Sequence, residues 1–190
     1  MQVYKNSETE RFFFWLSPNP QEKEITGWLL DYGLKSFKGP QYPTLIRSVE
    51  KVVPHETHLR LERVSKSEVE NYVEAITRIF DTRPCSFFFK VVDRVALNTF
   101  LAYEECTPVS ASILAIQRDF AYFGWTATAE VHRGKGGQNA LIKARLNRAT
   151  ELGCQIACSE TLSLLKASLG NLKKNGFKVV YEKHVFVWEK

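Results

Sequence analysis

The sequence predicts an α/β domain with a mixed sheet, on three observations. Residues 69–80 and 139–152 carry apolar side chains around helical turns. Short runs that alternate or stay apolar lie between and around them, as strands do. A glycine-rich turn, Gly134-Lys135-Gly136-Gly137, joins one apolar run to the second helical segment.

Each element follows from its residues. Arg11-Phe12-Phe13-Phe14-Trp15-Leu16 reads as a buried strand. Asn19-Pro20 opens a helix, with Asn as cap and Pro in the first turn. Ile25, Trp28, Leu29 and Tyr32 repeat at helical spacing, and Gly33 suits the position just past the end. Residues 38–43 form a turn and 44–49 a strand. Leu59 to Val64 alternate as a strand, and Ser65-Lys66-Ser67-Glu68 has the pattern of a capping box. Val69, Tyr72, Val73, Ile76, Ile79 and Phe80 mark the apolar face of the next helix, which Asp81-Thr82-Arg83-Pro84 ends. Residues 87–92 fit a short helix or a strand. Residues 99–103 and 109–116 flank a hairpin turn at 104–108, and 120–128 form the next strand. The helix over 139–152 presents a polar stripe of Asn139, Lys143, Asn147 and Thr150, one narrow side left in water, and Gly153 ends it. Residues 154–161 read as a strand.

Composition sets the class. The 190 residues suit one domain, or one with an extension, and 44% apolar content supports a packed core. No apolar run reaches the ~18 residues of a membrane span, and no secretory h-region precedes Glu8, Glu10 and Arg11. A cytoplasmic protein is expected, with no membrane partner. Cys85, Cys106, Cys154 and Cys158 show no CxxC pair and read as buried free thiols. The histidines show no ligand spacing, so no metal is expected. A net charge of +5 is spread along the chain, which argues for a solvated surface and against nucleic acid.

The chemistry concentrates at the glycine turn. Free N–H groups at a helix N-terminus and the helix dipole attract anions. Glycines admit close backbone approach, and Arg133 and Lys135 add charge. A Walker A loop does not fit, because no Gly-x-x-x-x-Gly-Lys-Ser/Thr run exists. A dinucleotide fingerprint lacks its third glycine, since Asn139 stands there.

The segment Arg133-Gly134-Lys135-Gly136-Gly137-Gln138 resembles the Gln/Arg-x-x-Gly-x-Gly/Ala signature of the GNAT N-acetyltransferases, with Gln138 in place of the last Gly or Ala. The strand, late helix and Gly176-Phe177 that follow resemble that family in the same order, and the resemblance spans 59–188. It implies a centrally splayed mixed β-sheet flanked by helices over 56–190. Residues 1–55 lie outside the resemblance; their apolar runs predict a strand–helix extension packed on that domain, whose aromatics could cover the cleft or make a homodimer. The resemblance also implies acetyl-CoA as cosubstrate, its pyrophosphate on the N–H groups of Gly134, Lys135, Gly136, Gly137 and Gln138, with Arg133 in support. Backbone groups of Thr126, Ala127 and Thr128 would hold the pantetheine arm. Their small, polar character suits close ligand approach. Ser168 stands where some members carry an Asn-x-x-Ser contact to CoA, although Leu165 takes the Asn position, and Asn171 is a further candidate contact. Leu172 occupies the position often held by a catalytic Tyr. The expected activity is acyl transfer to a small-molecule or peptide amine by direct attack, with Glu160 or Glu130 as base. A non-catalytic CoA-binding domain is the alternative.

Overall fold

The computed structural model describes residues 10–79 and 97–190. Expected features at Phe80, 81–84, Cys85 and 87–92 lie outside the described residues. Nine strands and four helices appear among the described residues. The strands are β1 (Arg11–Leu16), β2 (Lys35–Ser36), β3 (Tyr42–Ser48), β4 (Arg60–Arg63), β5 (Leu97–Glu104), β6 (Thr107–Gln117), β7 (Phe120–Thr128), β8 (Ile156–Glu160) and β9 (Lys178–Glu189). The helices are α1 (Glu22–Asp31), α2 (Val69–Ile79), α3 (Gly137–Glu151) and α4 (Lys166–Lys174). The fold is mixed α/β, as the sequence predicts.

The chain forms two compact units. Of the described residues, the first comprises 10–45, 160–169 and 179–190, and the second comprises 46–79, 97–159 and 170–178.

In the first unit β1 and β2 each pair antiparallel with β9, from Arg11↔Glu189 to Leu16↔His184 and from Lys35↔Val187 to Ser36↔Phe186. Leu16, Leu34, Phe186 and Trp188 form its core, with Phe12, Ile25 and Leu29 against it. β1 is less buried than its composition suggests, because Phe14 and Trp15 are exposed. α1 starts two residues after Pro20. The Asn19 carboxamide accepts the Gln21 N–H at 3.0 Å, holding the chain in a turn first. Of the expected apolar face, Ile25 and Leu29 pack inward, while Trp28 (53% exposed) and Tyr32 (55%) face out. Gly33 takes φ +85°, and the Leu34 N–H reaches back to Leu29 O at 3.0 Å, the closing bond of a Schellman end.

In the second unit the strands run in the order β8-β7-β6-β5-β4. Pairing is antiparallel except between β7 and β8, which are parallel. α2 lays Tyr72, Val73, Ala75, Ile76 and Ile79 on Leu101 and Ala111. A 3₁₀ turn (Lys66–Glu68) precedes it. Glu68 accepts the Ser65 N–H at 3.0 Å and the Ser65 hydroxyl at 2.6 Å, and these bonds hold its carboxyl below the usual range.

α3 begins at Gly137, earlier than periodicity indicates, and Ala140 N–H makes the 3.0 Å bond to Gly136 O. Its polar stripe is not simply left in water. Asn147 accepts the Val52 N–H at 2.8 Å, and Asn139 both donates to Asn171 (3.2 Å) and accepts from Asn175 (2.9 Å). Two cysteine expectations also change. Cys154 and Cys158 are buried free thiols, but Cys154 precedes β8, which starts only at Ile156, and Cys106 is exposed in the β5–β6 turn.

Candidate functional site

The parallel β7–β8 ladder runs from Phe120↔Ile156 to Phe123↔Ser159 and stops where β8 ends at Glu160, whereas β7 continues to Thr128. At that end the Ser159 hydroxyl donates to Phe123 O at 2.9 Å. On the β6 edge the register shifts between Ile113↔Gly124 and Ala111↔Ala127, and Trp125 adopts φ +44° there. This is a β-bulge, which increases local twist and redirects the strand end. Thr126, Ala127 and Thr128 are therefore half-buried residues of a strand end paired with β6 at Ala127 and Thr128.

Beyond β7 a 3₁₀ turn (Glu130–His132) leads into the glycine turn. Gly134 and Gly136 take φ +82° and +84°, a region costly for side chains with Cβ. At Gly136 a Cβ would also lie 2.8 Å from His55 Nε2. At Gly137 it would meet Ser110 Oγ at 2.6 Å, so α3 enters the fold where only glycine lets helix and strand approach. A helix N-terminus such as that of α3 turns its first N–H groups away from its own ladder, the geometry that suits an anion.

The two cations of the turn differ. Lys135 Nζ lies 2.8 and 3.0 Å from the Glu104 carboxylate oxygens. His58 Nε2 (3.0 Å) and His132 Nδ1 (2.6 Å) complete a cluster around Glu104. Lys135, then His58 and His132, hold the Glu104 carboxyl down at about 2. Lys135 thus anchors the turn to the end of β5. Arg133 is largely exposed, its Nε 3.4 Å from Thr128 O and its Nη1 3.9 Å from the Glu130 carboxylate, a looser pairing than that of Lys135. Gln138 accepts from Asn171 Nδ2 at 2.8 Å, so the departure from the signature is built into an amide ladder between α3 and α4. Asn171 is a member of that ladder. Ser168 is half-buried in α4. Leu172 is buried, in the core.

The acid candidates also differ. Glu130 is 86% exposed at its side chain, with Arg133 Nη1 3.9 Å away. Glu160 ends β8 in the first unit, where Lys183 Nζ lies 2.5 Å from its carboxylate and Thr44 Oγ1 donates at 3.4 Å. Lys183 also lines a cleft of about 310 Å³ in that unit, with Thr26, Phe37, Gln41 and His184. Sequence reasoning missed Glu104, Ser159 and Lys183, whose roles come from partners distant in the chain. It also passed over Arg145, a charged residue amid the apolar circumference of α3 that a helical wheel exposes.

The architecture is that of the GNAT acetyltransferases. The chain is similar to a GCN5-related N-acetyltransferase from Sphaerobacter thermophilus, at 12% identity and a TM-score of 0.72 over 94% of this chain and 59% of that one. It is also similar to a tandem GNAT protein from the clavulanic acid biosynthesis pathway, at 10% identity and TM-score 0.71 over 99% of this chain and 66% of that one. A third likeness is a putative GNAT-family acetyltransferase from Novosphingobium aromaticivorans, at 9% identity and TM-score 0.67 over 97% and 77%. The chain spans less than two thirds of the first two, and at these identities the likeness establishes fold. No protein-family model and no curated protein matches the sequence.

Proposed function

We propose that the chain is an acetyl-CoA-dependent N-acetyltransferase that transfers its acetyl group to a primary amine by direct attack in a ternary complex. One observation carries the reading: β7 runs on past its last pair with β8, Phe123↔Ser159, and leads into a double left-handed glycine turn at the start of α3. The N–H groups of Gly134 through Gln138 suit a pyrophosphate, and exposed Arg133, only loosely paired with Glu130, is the cation to meet it. Lys135 acts through Glu104 by fixing the turn. The backbone of Thr126, Ala127 and Thr128 takes the pantetheine arm, and Ser168 and Asn171 border CoA from α4. Holding amine and thioester in line supplies much of the rate, and N–H donors stabilise the tetrahedral oxyanion.

Glu160 is the base. It is ion-paired with Lys183, which lines the 310 Å³ cleft of the first unit. Glu130 is too exposed to sense substrate selectively. With Leu172 buried at the usual Tyr position, the leaving thiolate takes its proton from water. A thiol pKa of about 8.5 makes that loss tolerable.

A second reading, a CoA-binding domain without turnover, is favoured by that same Leu172. The two separate in one experiment. Acetyl-CoA is mixed with a panel of small amines and N-terminal peptides, and free CoA thiol is followed. Enzyme-dependent release that requires a particular amine supports transfer. Binding of acetyl-CoA, seen as a concentration-dependent rise in Tm, with no release across the panel leaves the binding domain.

A further inference from the structure

The second unit buries a cation that the acyl-transfer reading leaves without a role. Arg145, on α3, is 1% exposed. Its Nε donates to Leu141 O at 3.1 Å, one turn back along the helix. Its Nη1 donates to two sheet carbonyls, Ile113 O at 3.2 Å and Gly124 O at 3.4 Å. The guanidinium carbon lies 4.6 Å from the centre of the Phe123 ring. No carboxylate of the described residues is recorded as its ion-pair partner. Burial pushes Arg145 down to about 9, so it is still charged at neutral pH.

A buried cation without a carboxylate is costly, and an apolar side chain would fill the site more cheaply. What the guanidinium adds is a rigid planar fork of donors. Its sheet acceptors are informative. Ile113 and Gly124 are the pair at which the β6–β7 register shifts, immediately before Trp125 turns left-handed. One residue earlier, Phe123 O accepts from the Ser159 hydroxyl at the last β7–β8 pair. Carbonyls on both sides of that ladder end are thus held by side chains.

We propose that Arg145 is the positioning residue of the donor strand. By clamping Ile113 and Gly124 from α3, it fixes the bulge at Trp125. It thereby sets the register in which Thr126, Ala127 and Thr128 present their backbone groups to the pantetheine arm. This rests on the acetyl-CoA reading above. Because α3 also begins at the glycine turn, one helix holds both ends of the donor: its N-terminus the pyrophosphate, Arg145 the strand.

The test uses the full chain with Arg145→Leu and Arg145→Lys, and two ligands. Acetyl-CoA needs both the turn and the strand, whereas adenosine 3′-phosphate 5′-diphosphate carries the pyrophosphate without the pantetheine arm. For Arg145→Leu, amide exchange at 124–128 should accelerate. Acetyl-CoA affinity should fall about tenfold, while the nucleotide changes less than about twofold. Lysine, with a single nitrogen, should restore only part. A folded Arg145→Leu protein with wild-type exchange at 124–128 overturns the clamp. Equal losses for both ligands overturn the donor-strand role, since a general loss of stability would do that. If wild-type protein binds neither ligand, the acetyl-CoA reading fails instead, and the exchange measurement still decides the clamp. Should neither variant fold, ¹⁵N NMR of the wild-type arginine side chains decides. A slowly rotating Arg145 guanidinium with protected Nη protons is expected, and a freely rotating one like that of Arg133 refutes the clamp.

Discussion

At Gly136 two constraints coincide: φ +84° and the His55 ring 2.8 Å from where a Cβ would stand. Gly136→Val meets both. The strained backbone costs about 1–3 kcal/mol, within the ordinary reserve of a folded domain. The apo protein should therefore fold while the turn loses its shape, and acetyl-CoA should no longer raise its Tm. A Gly136→Val protein with the wild-type Tm shift would remove the turn as the pyrophosphate site. Glu160 makes a separate demand. An alkyl amine resembles Lys, with a pKa of roughly 10, so at neutral pH it needs a base. Glu160→Gln should lower kcat/KM by about 100-fold near pH 7. The deficit should shrink at high pH, where free amine is abundant, and acetyl-CoA affinity should hold. An unchanged pH–rate profile would strike Glu160 from the mechanism.

Elements were legible where a local pattern decides them. α2 shows its buried face in Tyr72, Val73, Ile76 and Ile79, and Gly33 and Gly176 mark helix ends at φ +85° and +82°. Boundaries were less legible. α3 starts at Gly137, where a Cβ would meet Ser110 Oγ at 2.6 Å, a constraint from remote chain. α1 waits for the Asn19 turn to finish. The N-terminal segment carries its own prediction. β1 pairs with β9 along its length, and Ile25 and Leu29 pack with Leu16, Phe186 and Trp188. Amides within 11–16 and the later turns of α1 should resist hydrogen exchange in the full-length protein. Rapid exchange throughout 10–32 would mean that the segment trails unfolded.

For the molecule as a whole, Glu104 ties acid stability to the site. Its carboxyl falls from an ordinary 4.5 to about 2, through Lys135 first and then His58 and His132. The stability it adds is complete above pH 4.5 and is lost as pH falls toward 2, because protonation then favours the unfolded chain. Glu104→Gln should have a lower Tm than wild type at pH 6, with the gap closing by about pH 2. Calorimetry across that range checks it, and a gap independent of pH would contradict the assignment. Net charge, by contrast, decided little. The +5 excess is dispersed, and the informative cations are individual ones: Arg133, Lys135, Arg145 and Lys183.

The α/β class, most of the elements and the glycine turn depend on periodicity, φ requirements and residues adjacent in the chain, so they can be read before any packing is known. Which charges the turn retains depends instead on contacts between elements. Lys135 looked equivalent to Arg133 until Glu104, 31 residues away, claimed its ammonium. The same holds for Ser159 beneath Phe123, for Lys183 against Glu160, and for Arg145 under the bulge. Each depends on a partner supplied by another element. No local rule encodes such a partner, because the distance between two side chains in space is fixed only once the strands and helices between them have packed.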